Sequence, residues 1–368
     1  MNQQSLFDAP PAGIPDGTVT RALAPNLADY DVISGNLSGG GDSWVMQCLL
    51  MDAAREAGVE DRVYTFHATL GPLEWPAVEF GGQHFPSAAE LAAQQSAASG
   101  VPAERHLERR KLTQDVEPAP YDLLTYIAAY GRFPRLGTRF CTKAHKESIE
   151  ETAFTPVLNG LKVPLGLART PTAVKLARPV RRLKVLGLLG EESRDRAARP
   201  AYRHVASNGV RHVDEWCPAK EWTKAQVRDF HATSGMPHHW TYDSSPGAGD
   251  WGGTSRCSCS LCFLSSKRDL LLGVLRRPRL AALIAHVEHV RGDTFRPDWS
   301  MHDLIAWSKR PGAPDPGVVI TDETPAFDAL EQSVRAALRK PPRKEPDLSR
   351  GGRAALPLLR ETCTSACS

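Results

Sequence analysis

Leu37-Ser38-Gly39-Gly40-Gly41-Asp42-Ser43 is the stretch on which the reading of the chain turns. The residues before it, Tyr30-Asp31-Val32-Ile33-Ser34-Gly35-Asn36, read with Leu37 as a short strand. After it, Val45, Met46, Leu49, Leu50, Ala53 and Ala54 recur at helical spacing, and Gly58 supplies a stop. A strand, a glycine-rich turn and a helix in that order bring backbone amides together at a helix start. Glycines let a phosphate approach that backbone closely, and the amides bind its charge. The hydroxyls of Ser38 and Ser43 add donors. No lysine follows, so this is not the GxxxxGK[ST] phosphate loop.

Outward from the loop the pattern repeats. Arg62-Val63-Tyr64-Thr65-Phe66-His67-Ala68 reads as a second strand, and Ser87-Ala88-Ala89-Glu90 opens a helix that ends at Gly100. Lys184 to Gly190 reads as a buried strand, and Thr223-Lys224-Ala225-Gln226 as a second capping box. Helices are expected over 121–130, 265–277, 278–290, 300–309 and 327–338. Strands alternating with helices predict a three-layer α/β fold: a mostly parallel sheet with helices on both faces, plus a helical C-terminal extension. The expected boundaries are a flexible leader over 1–28, the α/β domain with its cysteine cluster over 29–275, a helical extension packed on it over 276–310, and a Pro-rich, basic, largely disordered tail over 311–368.

Composition sets outer limits. The 368 residues are 41% hydrophobic, enough for a real core. The net charge is +3, but the stretch from Arg335 to Arg360 holds eight basic residues against two acidic ones, so the body is not strongly basic. No apolar run reaches the ~18–20 residues of a membrane span, and Met1-Asn2-Gln3-Gln4 does not start a secretory signal. The expectation is a cytoplasmic protein without a membrane partner, where disulfides are rare and the 8 cysteines need a metal, a cluster or thiol chemistry.

Five pieces of sequence, in order over about residues 30–310, carry a resemblance. They are Ser38-Gly39-Gly40-Gly41-Asp42-Ser43; His67-Ala68-Thr69-Leu70-Gly71-Pro72-Leu73-Glu74-Trp75-Pro76; Arg139-Phe140-Cys141-Thr142-Lys143-Ala144-His145-Lys146; Gly187-Leu188-Leu189-Gly190-Glu191-Glu192-Ser193-Arg194-Asp195-Arg196; and Glu221-Trp222-Thr223 through Gly235-Met236-Pro237. Together they resemble the phosphoadenosine phosphosulfate (PAPS) reductase family of the adenine nucleotide alpha-hydrolase-like (PP-loop) superfamily. The resemblance implies an enzyme, an oxidoreductase or sulfurtransferase, that binds PAPS, APS or ATP and acts in sulfur metabolism. It implies nucleotide contacts from Ser38, Gly39, Gly40, Gly41, Asp42, Ser43, Gly71, Arg139 and Arg196. It implies catalytic roles for Cys141, Arg139, Lys146, Glu192 and Arg196. Arginine and lysine suit a multiply charged phosphate, and Glu192 suits an arginine or Mg²⁺.

The chain departs from the family pattern at Gly41, where the loop lysine would stand, and at Leu189, where an arginine would stand. It also lacks the C-terminal Glu-Cys-Gly-x-His; its tail cysteines, Cys363 and Cys367, read as incidental thiols.

Arg256-Cys257-Ser258-Cys259-Ser260-Leu261-Cys262 places three cysteines within six positions, which suits zinc or an iron–sulfur cluster. The expected ligands are Cys141, Cys257, Cys259 and Cys262, with Cys217 as the alternative fourth. Spacing leaves zinc and cluster open; the resemblance favours [4Fe–4S]. Cys48 reads as a core residue, and His238-His239 as a surface turn. An electron donor or sulfur carrier is the expected protein partner. The rival functions are a sulfur transferase acting on nucleic acid, with the basic tail on its phosphates, and a nucleotide-binding accessory protein that has lost catalysis.

Overall fold

The computed structural model describes residues 24–111, 122–135, 137–257 and 259–343. In chain order its main elements are β1 (Val32–Asn36), α1 (Gly41–Ala57), β2 (Val63–Ala68), β3 (Val78–Phe80), β4 (Gln83–Phe85), α2 (Ala88–Ala98), β5 (His106–Arg109) and α3 (Leu123–Tyr130). Then follow α4 (Ser148–Leu161), β6 (Val180–Leu186), α5 (Arg194–Ala198), β7 (Tyr202–Ser207), β8 (Arg211–Trp216) and α6 (Lys224–Ser234). The last are α7 (Lys267–Arg276), α8 (Pro278–Arg291), α9 (Met301–Ser308) and α10 (Pro325–Leu338). The chain divides into two compact units. The described residues of the first fall within Met1–Thr69, Pro76–Arg109 and Glu150–Trp240, those of the second within Leu70–Trp75, Arg110–Ile149 and Thr241–Ser368.

The first unit is built on a six-stranded sheet of order β5-β2-β1-β6-β8-β7, with β3 and β4 as a separate hairpin. All pairings in the large sheet are parallel except β7 on β8. Strand alternation sorts its two faces. Ile33, Val63, Leu183 and Val185 point one way, into a core shared with Met46, Leu50 and Ala54 of α1 and Ala92 of α2. Ser34, Tyr64, Phe66, Arg182 and Lys184 point the other way. There Phe154 of α4 meets the rings of Tyr64 and Phe66 edge-on at 6.1 Å each. Helices therefore cover both faces.

The second face also buries charge. Arg182, fully buried, pairs with Glu150 and donates to Ser34 Oγ at 3.0 Å, and Lys184 Nζ lies 2.8 Å from Glu150 Oε2. These charges hid the strand: the 184–190 expectation is corrected to 180–186, because Arg181, Arg182 and Lys184 break the apolar pattern. Beyond Leu186 the chain leaves the sheet at Gly187, where a Cβ would sit 2.7 Å from the Asp42 carbonyl oxygen.

The second unit is helical. α3, α7, α8, α9 and α10 share one core that includes Leu124, Ile127, Leu270, Val274, Ile284 and Met301. Two expectations on domain limits change here. Residues 241–275 group with the helical extension rather than with the sheet. The disorder expected over 311–368 does not hold for 311–343, since α10 inserts Phe327, Leu330 and Val334 into that core at no more than 1% exposure. Thr324 caps α10 by accepting from Phe327 N, and Pro325 fits its first turn. The leader also ends early: Leu27 is buried, in a 3₁₀ turn capped by Asn26. Residues 1–23 and 344–368, with Cys363, Cys367 and most of the basic tail, lie outside the described residues.

Candidate functional site

The glycine loop belongs to the first unit and joins β1 to α1. Gly39 has φ of 72°, and a Cβ there would lie 2.4 Å from the Ala88 carbonyl oxygen, so glycine is required. α1 starts at Gly41 with Gly40 as its cap and no side-chain capping bond. The two serine hydroxyls brace the loop: Ser43 Oγ donates to Gly40 O at 2.8 Å and accepts from Ser38 N and Ser38 Oγ at 3.2 Å. Gly41, the position where the resemblance would have lysine, is crowded by α6. A Cβ there would stand 3.0 Å from both His231 Nε2 and Val227 Cγ1 of α6.

The loop nonetheless has a lysine. Lys224, the first residue of α6, sets its Nζ 2.6 and 2.9 Å from the two oxygens of Asp42 and 3.3 Å from Glu192 Oε1. Glu192 also pairs with Arg196. Asp42, Lys224, Glu192 and Arg196 thus form a chain of alternating charge beside the loop. The capping box that fixes the start of α6 is fully formed, with Thr223 and Gln226 each bonding the other's backbone amide. The capping motif places Lys224 at a helix start, but only the fold brings its ammonium to Asp42. Leu189 is fully buried among Trp44, Val45, Cys48, Ala219 and Trp222, so its position is part of the core. His239 is likewise buried, against Trp240, which corrects the surface-turn reading.

The second unit gathers the other expected residues. Arg139 takes the left-handed conformation at φ 31°, a helical turn follows over Phe140–Thr142, and a π-helical turn runs over Lys143–Glu147. Left-handed non-glycine residues and π-turns concentrate at functional sites. This irregular segment carries Cys141 and Lys146. Cys259 enters from the cysteine loop, bridging to Glu74, while Ser260 N donates to Leu73 O at 2.9 Å. Burial and the neighbouring Cys262 charge push the Cys141 thiol up. Burial would pull the Lys146 ammonium down, but Cys259, Glu74, Cys262 and Cys141 outweigh it and hold it above its ordinary range. Three thiols, a carboxylate and one lysine therefore share a site. Gly71, at φ 57°, also lies in this unit; a Cβ there would come within 2.4 Å of the Arg110 guanidinium.

Arg277 builds the floor of this site. It is 1% exposed and donates to Pro72 O at 2.8 Å, Glu74 O at 2.7 Å and Ser260 Oγ at 2.9 Å, while its other edge pairs with buried Asp322. Gly273 on α7 allows the close approach, since a Cβ there would meet Ser260 O at 2.5 Å. Neither Arg277 nor Asp322 has a local sequence signal; both look like surface charges until the fold brings them together. Cys257 donates its amide to Tyr242 Oη at 3.1 Å. Cys217 lies in the first unit at the end of β8, its thiol pushed up to about 12 by burial and then by Glu215. Its charged neighbours are Glu215, Arg199, Arg203 and Lys220.

Zinc holds thiolates at ~2.3 Å, which puts them ~3.8 Å apart. Among the described residues, the only His, Cys, Asp or Glu group with three ligand atoms within 4.8 Å of one another is His204, His212 and Asp214 on β7 and β8. The cysteines as arranged therefore do not outline a single-ion site. Comparison with known families finds no matching family model, and comparison with curated proteins finds no match. Among the described residues no helix is long and apolar enough to cross a membrane.

Proposed function

We propose that the protein is an enzyme of PAPS reductase type, which binds an adenine nucleotide on the Ser38–Ser43 loop and uses it in sulfur chemistry. The observation that carries this is the position of the loop. The chain steps from β1 to β2 on one side and later to β6 on the other, so the loop leaves β1 where the strand order reverses. Open α/β sheets bind their ligands at this point, outside the carboxyl ends of the strands. In this reading the amides of Gly39 to Ser43 hold phosphate oxygens. Lys224 and Arg196 turn from Asp42 and Glu192 to the phosphates, leaving the carboxylates for Mg²⁺. PAPS, APS and ATP share the adenosine and the charge that this arrangement recognises.

The second unit contributes the thiols. Cys141, Cys259 and Cys262, with Cys257, would hold a [4Fe–4S] cluster, which when bound supplies electron transfer beside a sulfur-handling site. Lys146 balances the charge of thiolates there, and Arg139 is assigned with it to binding anions. A cytoplasmic setting and an electron donor or sulfur carrier as partner go with this chemistry, because Cys48, Cys141, Cys217, Cys257, Cys259 and Cys262 all carry thiols rather than disulfides.

One specific observation favours a second reading, an accessory protein that binds nucleotide without turning it over. The two positions at which the resemblance would put cations hold none: Gly41 is crowded by His231 and Val227, and Leu189 is buried in the core. Product analysis with PAPS, APS and ATP, offered separately to anaerobically purified protein, tests the proposal. Consumption of one nucleotide with transfer or release of sulfur supports the enzyme. Binding with no turnover of any of them selects the accessory protein. Transfer of sulfur to a nucleic acid would select the remaining rival.

A further inference from the structure

The hairpin at the β7 edge of the first unit's sheet holds a group that the nucleotide reading does not use. Asp214 sits on β8 and is 3% exposed. His212 lies two residues before it, on the same face of the strand. His204 on β7 stands directly opposite Asp214 in the antiparallel register, and a register shift between His204 and Ala206 then brings Ser207 opposite His212. The sequence alone, with His204 eight and ten positions before its partners, gives no metal-binding spacing; the hairpin makes it.

The side chains converge closely. His204 Nδ1 lies 2.7 Å from Asp214 Oδ1, and His212 Nε2 lies 3.0 Å from Asp214 Oδ2. Two ligands about 2.1 Å from one ion stand ~3.0–3.4 Å apart at right or tetrahedral angles. The outer contacts are those of a built site. Tyr30 Oη donates to Asp214 Oδ2 at 2.7 Å and Tyr202 Oη does so at 3.1 Å, which fixes the carboxylate plane. Ser207 Oγ lies 2.7 Å from His212 Nδ1, so the tautomer with its proton on Nδ1 leaves Nε2 open. Such second-layer bonds orient ligands in metal sites.

We propose that His204, His212 and Asp214 form a binding site for one divalent transition-metal ion of the zinc type. Two imidazoles and one carboxylate suit zinc, iron(II) or cobalt, and oppose a site for calcium or magnesium, which take oxygen ligands. Three protein ligands leave coordination positions for water or a small anion. His204 is exposed and His212 partly so, which gives the ion a path from solvent. On binding, each imidazole coordinates through the nitrogen that faces Asp214, any proton on that nitrogen is released to solvent, and the two tyrosine bonds to Asp214 remain.

Cobalt(II) titration of the full-length protein, followed by visible absorption, tests this. Thiolate-bound cobalt adds intense near-ultraviolet charge transfer; a two-histidine, one-carboxylate site shows only the weaker d–d bands. Wild type is expected to take up one cobalt of the second kind, displaced by stoichiometric Zn²⁺. The double variant H204Q/H212Q is expected to lose that equivalent, with circular dichroism and melting temperature unchanged in the absence of metal. Identical stoichiometry and d–d bands in wild type and variant would overturn the proposal. Should the double variant fail to fold, His204→Gln alone decides, because that side chain is exposed. At least tenfold weaker cobalt binding is expected of it, and unchanged affinity would overturn the site.

Discussion

The glycine loop and the thiol site are made in opposite ways. The loop is a run of consecutive residues whose conformation is set by backbone constraints, above all the left-handed Gly39 against Ala88. The thiol site is assembled from segments far apart in sequence, around Glu74, Cys141 and Cys259, and held by one buried arginine. A local loop should fail locally when changed. An assembled site should fail together with the packing of its whole unit.

The largest effect is expected in the assembled site. Arg277→Met removes three hydrogen bonds to the cysteine loop and the Glu74 segment and leaves Asp322 buried without its partner. Breaking one side of a buried pair costs about 3–5 kcal/mol. Denaturant unfolding of the variant should show that loss, together with loss of any cluster colour. A cost below about 1 kcal/mol would mean that Arg277 does not hold the site.

The sheet has its own buried pair, and it predicts a pH dependence. Burial alone would raise the Glu150 carboxyl, but Lys184 and Arg182 hold it below its ordinary value. Its contribution to stability is therefore full above the unfolded value of about 4.3 and is lost as pH falls through the lower folded value. Glu150→Gln should destabilise at neutral pH, by about 3–5 kcal/mol, since Arg182 is left without its nearest carboxylate. It should also flatten the fall in stability at acid pH. An acid limb identical to wild type would contradict the assignment.

Gly39→Ala comes next. The left-handed backbone costs a non-glycine residue about 1–2 kcal/mol, and the contact with Ala88 adds to it. Calorimetric melting should show a drop of that size, with nucleotide affinity lost more completely than stability. Equal, small losses in both would argue that the loop is only a turn. The smallest effect on stability belongs to Lys224→Met. Its pair with Asp42 is partly exposed, so no more than about 1 kcal/mol is at stake.

The same contrast explains what the sequence made legible. The loop, the strand and helix either side of it, and the capping boxes at Ser87 and Thr223 were readable because each is a local code. β6 starts four residues earlier than expected because it carries Arg181, Arg182 and Lys184, whose partners lie on α4, on β1 and just before β1 rather than nearby in sequence. The hairpin of β7 and β8 went unread because its strands are rich in His, Arg and Asp. α10 is legible as an amphipathic helix over 327–338, but the Pro-rich sequence around it assigns it to a disordered tail, whereas its apolar face at Phe327, Leu330 and Val334 completes a core. At the sites the sequence named residue types that suit phosphate and sulfur. It did not reveal Lys224, Arg277 or Asp322, whose roles come from tertiary neighbours alone.

The central claim is that the Ser38–Ser43 loop binds an adenine nucleotide, and Lys224 tests it most directly because its replacement spares the fold. Isothermal titration of wild type and Lys224→Met with PAPS, APS and ATP is the measurement. The account predicts one nucleotide per wild-type chain and about tenfold weaker binding by the variant, the effect of one charge-assisted contact worth about 1.4 kcal/mol. Absence of binding to wild type with all three nucleotides, or equal affinity in the variant, would contradict it.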